Sequence, residues 1–184
     1  TYDQRYAADF NIRMDASSEF GRNNRYAPFW SGGVRWNIDK EKFVKKWKLF
    51  DELIFRSTYG ITGTQGFSPY QALQMYTYSN SMRIYQSSDV VGTLLYGMGN
   101  PDLKWQTTKA FNLGLDFNML HRIISGRFEY YYKLTENTVI DYSMAPSVGF
   151  TNIKDNIGNI SNEGYEFTLR FMPYNNLHKQ MNFN

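Results

Sequence analysis

The chain has 184 residues, a formal net charge of +3 and no cysteine, and it is 42% hydrophobic and 18% aromatic. Without cysteine it has neither a disulfide scaffold nor a thiolate metal site, and its small, scattered positive charge leaves no nucleic-acid footprint. No run approaches the roughly 20 apolar residues of a transmembrane helix, so any membrane crossing must be made by strands.

From Tyr6 to Met14 the apolar residues fall on every second position: Tyr6, Ala8, Phe10, Ile12 and Met14 against Ala7, Asp9, Asn11, Arg13 and Asp15. This is a first strand with one charged face. Ala16 to Arg25 collects Ser, Gly, Asn and charge and reads as a loop. A second strand is expected from Phe29 to Ile38, with Trp30, Val34, Trp36 and Ile38 on one face. Gly32 and Gly33 weaken it and mark a bulge or bend.

Asp39 to Glu52 spaces Phe43, Val44, Trp47 and Phe50 at three and four, with lysines between them. A basic amphipathic helix of this kind binds a membrane surface or a partner, but a short capping turn between strands is the preferred reading. Leu53 to Thr62 alternates again, with Leu53, Phe55, Tyr59 and Ile61 opposed to Arg56, Thr58, Gly60 and Thr62. From Gly63 to Leu103 periodicity is weak, which is compatible with a functional excursion that has local structure of its own. Its Tyr70, Tyr76, Tyr78 and Tyr85 are candidate contacts for a substrate or a covering partner, since aromatic faces stack on sugars and bury against proteins. The competing reading has them pack the loop on itself.

Lys109 to Met119 places Phe111, Leu113, Leu115, Phe117 and Met119 on one face. After Leu120-His121-Arg122 the apolar set changes parity to Ile124, Phe128, Tyr130 and Tyr132. Antiparallel pairing that keeps both sets on one face joins odd positions to even ones. One such register sets Leu115 opposite Phe128 and Asp116 opposite Arg127. His121-Arg122 is a poor match for a two-residue Asn-Gly turn, so a longer loop is expected. A last strand runs from Gly164 to Met172, with Tyr165, Phe167, Leu169 and Phe171 against Glu166, Thr168 and Arg170, and Met181 and Phe183 open another. The chain is therefore all-β, with about six strands and a stub.

A hairpin with one greasy face fits a soluble sandwich or barrel, or an outer-membrane barrel. Runs of about 10 to 13 residues exceed the usual globular strand of about 5 to 6 and suit a tilted bilayer crossing. On that reading Phe111, Leu113, Leu115, Phe117, Phe128, Tyr130, Phe167 and Leu169 face lipid. Trp105 and Tyr130 to Tyr132 mark the bilayer interface. Arg13, Arg56, Asp116, Arg127, Glu129, Glu166 and Arg170 face a wet lumen. There the carboxylates read as partners of arginines rather than as a glycoside-hydrolysing acid and base. No nucleophile triad is visible, and His121 and His178 lack the spacing of metal ligands. The Gly60 to Gly66 and Gly97 to Asn100 runs lack the lysine and helix of a phosphate loop. No catalysis, metal or cofactor is expected. The alternation of long and short connections sends the loops near Glu19, Tyr76 and Val148 outside and the turns near His121 and Asn175 to the periplasm. Six strands fall short of the roughly eight that close a membrane barrel, and the chain starts without a leader, so a piece of something larger is expected.

Asn100-Pro101-Asp102-Leu103-Lys104-Trp105, Asn112-Leu113-Gly114-Leu115-Asp116-Phe117, Ile124-Ser125-Gly126 and Glu129-Tyr130-Tyr131-Tyr132-Lys133 resemble the C-terminal barrel region of the SusC/RagA-type TonB-dependent outer-membrane transporters of Bacteroidota. The likeness extends, in order, to Arg13-Met14-Asp15-Ala16-Ser17-Ser18, Asn23-Asn24-Arg25-Tyr26, Tyr59-Gly60-Ile61-Thr62-Gly63, Pro146 to Phe150, and Asn156-Ile157-Gly158 to Glu163-Gly164. It implies that residues 1–184 form part of a roughly 22-stranded barrel with a plugged lumen, whose plug domain and last strands lie outside this chain. It further implies a SusD-like surface lipoprotein as partner, the TonB complex as energy source through parts not in this chain, and glycan fragments or peptides as cargo.

Overall fold

The computed structural model describes residues 2–20, 24–79, 92–173, 175–176 and 179–180. Ten strands carry the architecture: β1 (Tyr6–Ala16), β2 (Tyr26–Asn37), β3 (Phe50–Thr64), β4 (Met75–Ser79), β5 (Gly92–Gly97), β6 (Gln106–Met119), β7 (Ile124–Glu136), β8 (Val139–Ser143), β9 (Asn152–Asn156) and β10 (Ile160–Phe171). Six of them form one antiparallel sheet in the order β1-β2-β3-β6-β7-β10, while β4-β5 and β8-β9 are separate hairpins. A two-residue ladder, Asn175–Asn176 with Lys179–Gln180, follows β10. Met181 and Phe183, expected to open another strand, lie outside the described residues. The sheet does not close on itself: β1 and β10 are each paired along one side.

The pleat sorts the side chains as alternation predicts. β6 and β7 pair with Leu115 opposite Phe128 and Asp116 opposite Arg127, and each of the other ladders likewise sets the apolar positions of one strand opposite those of the next. Phe10, Trp30, Tyr59, Phe111, Tyr130 and Tyr165 thus share one face, and their rings meet from strand to strand. Phe10 to Trp30 is 6.2 Å, Trp30 to Tyr59 5.5 Å, and Tyr130 to Tyr165 4.9 Å between centroids. Toward the other end Tyr6 stacks on Trp36 at 6.2 Å. Aromatic rings therefore recur along this face, interspersed with Val34, Leu113 and Leu115.

No protein layer among the described residues covers this face. The buried hydrophobic side chains are Phe20, Ala27, Phe29, Val44, Ile54, Ala72 and Leu103, none of them from the alternating apolar set. Phe10 is 66% exposed, Ile12 73%, Phe167 64% and Leu169 58%. Each such side chain gains roughly 1.5–3 kcal/mol on leaving water. A soluble sandwich would have buried them; this sheet leaves them uncovered. The six strands run 11 to 15 residues, longer at their polar ends than the alternating runs alone.

Several local readings are corrected. Gly32 and Gly33 make no bulge, since the β1-β2 register is unbroken from Tyr6↔Trp36 to Ala16↔Tyr26. Gly33 instead leaves room for the Asp9 carboxylate, which a Cβ would meet at 2.7 Å. The irregularity falls at Asp51, between Phe50 and Glu52. The 39–52 segment, by contrast, is the short capping turn preferred from the sequence: a 3₁₀ turn (Ile38–Lys40) and a single α-turn (Lys42–Lys45), with β3 taking up the chain from Phe50. Trp105 does not mark an interface: it packs inside a loop cluster. Tyr130 sits mid-strand, and Tyr131 belongs to the opposite, polar face. The Leu120–Arg122 turn holds three successive residues in the left-handed region, with φ of 54°, 59° and 65°.

The glycines of the strands make space for large cross-strand partners. Gly126 lies opposite Phe117, whose ring occupies the volume a Cβ would need. Gly126→Val should therefore cost roughly 1–3 kcal/mol through overpacking. Urea titration of tryptophan fluorescence in detergent measures it, and an unchanged midpoint would show that the ring is not seated over the glycine.

Candidate functional site

The polar face carries a four-residue charge network across three strands. Arg56 on β3 lies opposite Gly114 on β6, and Gly114 lies opposite Glu129 on β7. Because Gly114 has no side chain, the guanidinium lies across it; a Cβ there would come 3.2 Å from an Arg56 Nη2. From this saddle Arg56 donates to Asp116 Oδ2 at 2.9 Å and Oδ1 at 3.3 Å, and to Glu129 Oε1 at 3.1 Å. Arg127 donates from the other side to Asp116 Oδ1 at 2.7 Å. Two cations and two anions thus cancel locally, and the half-exposed setting favours hydrogen-bond geometry over raw Coulomb gain.

The remaining charged residues singled out from the sequence lie apart from it. Glu166 faces Glu129 directly across the β10-β7 ladder and has no ion pair among the described residues. Arg170 lies one strand over from Arg127, lining a small groove beside it. Arg13 pairs with Asp15 at 3.3 Å and sits 5.6 Å over the Phe29 ring. Beside the network lies an open groove of about 680 Å³, lined by Arg56, Asn112, Glu129, Tyr131, Asn162 and Glu166 among others. Such a surface offers hydrogen-bond donors and acceptors without a dominant sign of charge.

At one end of the sheet all three long connections, 17–25, 65–105 and 137–159, meet. Consecutive antiparallel strands require this, since the short turns 38–49 and 120–123 take the opposite end. The Asn100 to Trp105 segment fastens them. Asp102 N–H donates to Asn100 Oδ1 at 3.1 Å, an Asx turn that presents Leu103 inward, fully buried. Trp105 stacks on Phe20 at 4.4 Å and meets Phe29 edge-on at 5.8 Å, while Phe20 meets Phe67 at 4.9 Å. Trp105 Nε1 donates to the Asn24 carbonyl at 2.9 Å. On the third loop, Lys104 N–H donates to Asn156 Oδ1 at 2.8 Å and Asn156 Nδ2 donates back to the Lys104 carbonyl at 3.0 Å. Asn100 Nδ2 donates to the Lys154 carbonyl at 3.0 Å. Sequence reasoning missed this fastening. The spacing of an asparagine, a leucine and a tryptophan just ahead of a strand was its one legible trace.

Beyond the fastening, Tyr70, Tyr76 and Tyr78 stand exposed, the last two on the β4 strand of a hairpin that is itself solvent-facing. Tyr85 lies outside the described residues. At the opposite end, Glu41 accepts from the Tyr6 hydroxyl at 2.7 Å and from Trp36 Nε1 at 3.3 Å, with Arg5 3.5 Å away. The Tyr6 hydrogen bond foremost, then those of Trp36 and the charge of Arg5, hold its carboxyl below the usual glutamate range.

A family model described as "TonB dependent receptor-like, beta-barrel" matches residues 1–184. The chain is 34% identical over 168 residues to TonB-dependent receptor P3 of Formosa agariphila and 31% identical over 172 residues to TonB-dependent receptor SusC of Bacteroides thetaiotaomicron. These matches cover 91% and 92% of the chain but 17% of either relative, so the chain spans about a sixth of their length. Among solved structures it resembles the RagAB peptide importer in the closed-closed state, with a TM-score of 0.84 and 31% identity over 95% of this chain and 19% of that one. The siderophore receptor PirA of Pseudomonas aeruginosa, at 18% identity and a TM-score of 0.60 over 94% of this chain and 29% of its own, shares the fold.

Two outcomes follow from the geometry. Arg56→Met leaves Asp116 and Glu129 short of a donor and should lower stability by about 1–2 kcal/mol; Gly114→Val, which displaces the same guanidinium, should do likewise, and the two changes together should cost less than their sum. A double-mutant cycle by chemical denaturation reads this. For Glu41, whose folded pKa is lowered, the stabilisation is present above the unfolded value and is lost as pH falls through the folded one. Acid titration of unfolding below about pH 4.5 should show this loss in the parent chain and a flatter profile in Glu41→Gln.

Proposed function

This chain belongs to the TonB-dependent receptor-like β-barrel family, and on that footing we propose that it is wall and outer loops of a SusC-like nutrient importer in the outer membrane of a Gram-negative bacterium. The observation that carries the reading is the uncovered aromatic and aliphatic face running across six long strands. Phe111, Leu113, Leu115, Phe117, Phe128, Tyr130, Phe167 and Leu169 belong to it and contact lipid. Residues 1–184 are then a segment of a roughly 22-stranded barrel, with the plug domain and closing strands supplied by the rest of the polypeptide.

On the other face Arg13, Arg56, Asp116, Arg127, Glu129, Glu166 and Arg170 line the lumen. A locally neutral, hydrogen-bonding groove suits passage of uncharged or zwitterionic oligomers, which fits glycan fragments or peptides as cargo; the RagAB neighbour is itself described as a peptide importer. The fastened loops form the extracellular mouth, and Tyr70, Tyr76 and Tyr78 on it are positioned to touch cargo or a SusD-like lipoprotein that covers the opening. Work for transport comes from the TonB complex, acting through segments other than this one. No side chain here is assigned catalysis, and no cofactor is called for. A self-contained adhesin or ligand-binding module would need the aromatic face packed inside, where it is not.

The reading fixes which end of the sheet meets the outside. This segment has no cysteine; in the full-length protein, with any cysteines elsewhere replaced by serine, Tyr76→Cys and Val148→Cys should react with an impermeant maleimide on intact cells, whereas His121→Cys should react only after lysis. Labelling of His121→Cys alone on intact cells would reverse the orientation, and extraction of the protein by buffer without detergent would reject the lipid-facing wall.

A further inference from the structure

The lysine-rich turn between β2 and β3 is left unused by the transport reading. Its charges and rings are arranged unevenly. Of its acids, Asp39 is paired with Lys40 at 3.2 Å and Glu41 is held by Tyr6, Trp36 and Arg5. Lys42, Lys45, Lys46 and Lys48 have no ion pair among the described residues, and all are exposed. Within the one-turn helix Val44 points inward, 3% exposed. Phe43 and Trp47, four residues apart and so on a common side, point out at 51% and 62% exposed, their rings edge to face at 6.3 Å.

The position of Glu41 decides where this turn stands. Tyr6 and Trp36 both belong to the apolar face, pairing with each other across β1 and β2. A carboxylate bonded by both draws the turn round to that side of the sheet end, just past the place where Tyr6 stacks on Trp36. Two exposed aromatic rings with long basic side chains around them, continuous with a hydrocarbon-facing wall, suit the zone where acyl chains give way to headgroups. We propose that the Glu41–Leu49 turn seats on anionic phospholipid headgroups, with Phe43 and Trp47 in the interface and Lys42, Lys45, Lys46 and Lys48 on the phosphates. The assignment rests on the reading of the apolar face as lipid-facing. Net positive charge chooses anionic over zwitterionic lipid, and the short-turn end chooses the inner leaflet.

Brominated lipids test it in the complete barrel reconstituted into vesicles of phosphatidylcholine doped with brominated phosphatidylglycerol or, separately, brominated phosphatidylethanolamine. The Trp47 signal is the difference between the parent and Trp47→Phe. It should be quenched at least about fivefold more effectively by the anionic lipid, and a Lys42, Lys45, Lys46 and Lys48 to Gln variant should lose that preference while Trp36 quenching persists. Equal quenching by the two lipids would overturn the headgroup assignment. An unquenched Trp47 beside quenched Trp30 and Trp36 would overturn the turn's seating, leave the lipid-facing wall intact and return the turn to a soluble partner. If none of the three is quenched, both readings fall together.

Discussion

In hydrocarbon an unpaired backbone N–H or C=O costs several kcal/mol, so a strand can cross only if its neighbours bond it along its whole length. The four inner strands of the sheet meet that demand with antiparallel ladders on both sides, and β1 and β10 with one ladder each. The rest of the architecture follows from it. Apart from the irregularity at Asp51, the ladders hold the pleat in step across all six strands, and a shared pleat sends every second residue to the same side. One face therefore becomes mainly aromatic and aliphatic while the other collects amides, threonines and charges. A one-residue slip of β3 or β6 would turn Arg56 or Asp116 onto the apolar face.

Continuous ladders also limit where bulk can go. Neighbouring strands lie about 4.8 Å apart, so a ring or guanidinium that leans across needs an empty place opposite. Gly126 under Phe117 and Gly114 under Arg56 are those places. The second of them joins scaffold to site, since the space at Gly114 lets one arginine reach carboxylates on two strands. The network is thus a product of what the middle strand leaves out as well as of the charges it carries.

Period-two alternation made the strands of the main sheet legible because their two faces meet unlike surroundings. The β4-β5 and β8-β9 hairpins were not legible for the converse reason: with both sides polar or exposed, Thr77, Thr93, Asp141 and Lys154 carry no face preference. Parity also put Asp116 and Arg127 on a common face, with one of its allowed registers setting them opposite, but Arg56 joins them from a strand distant in sequence, and no local pattern announces that. Trp105 was misread because a tryptophan at the mouth of a strand looks the same whether it borders lipid or fills a loop core. What decides is Phe20, which stacks on it from another connection.

The fastening of the three long connections differs in kind from the charged bonds elsewhere. Its bonds from Asn100, Asn156 and Trp105 run largely between amide or indole groups and backbone carbonyls and amides. Bonds of that sort are nearly indifferent to ionic strength, whereas exposed ion pairs fade within a Debye length of about 8 Å in physiological media. The fastening around Asn100, Trp105 and Asn156 is therefore built to hold alike in dilute and briny surroundings.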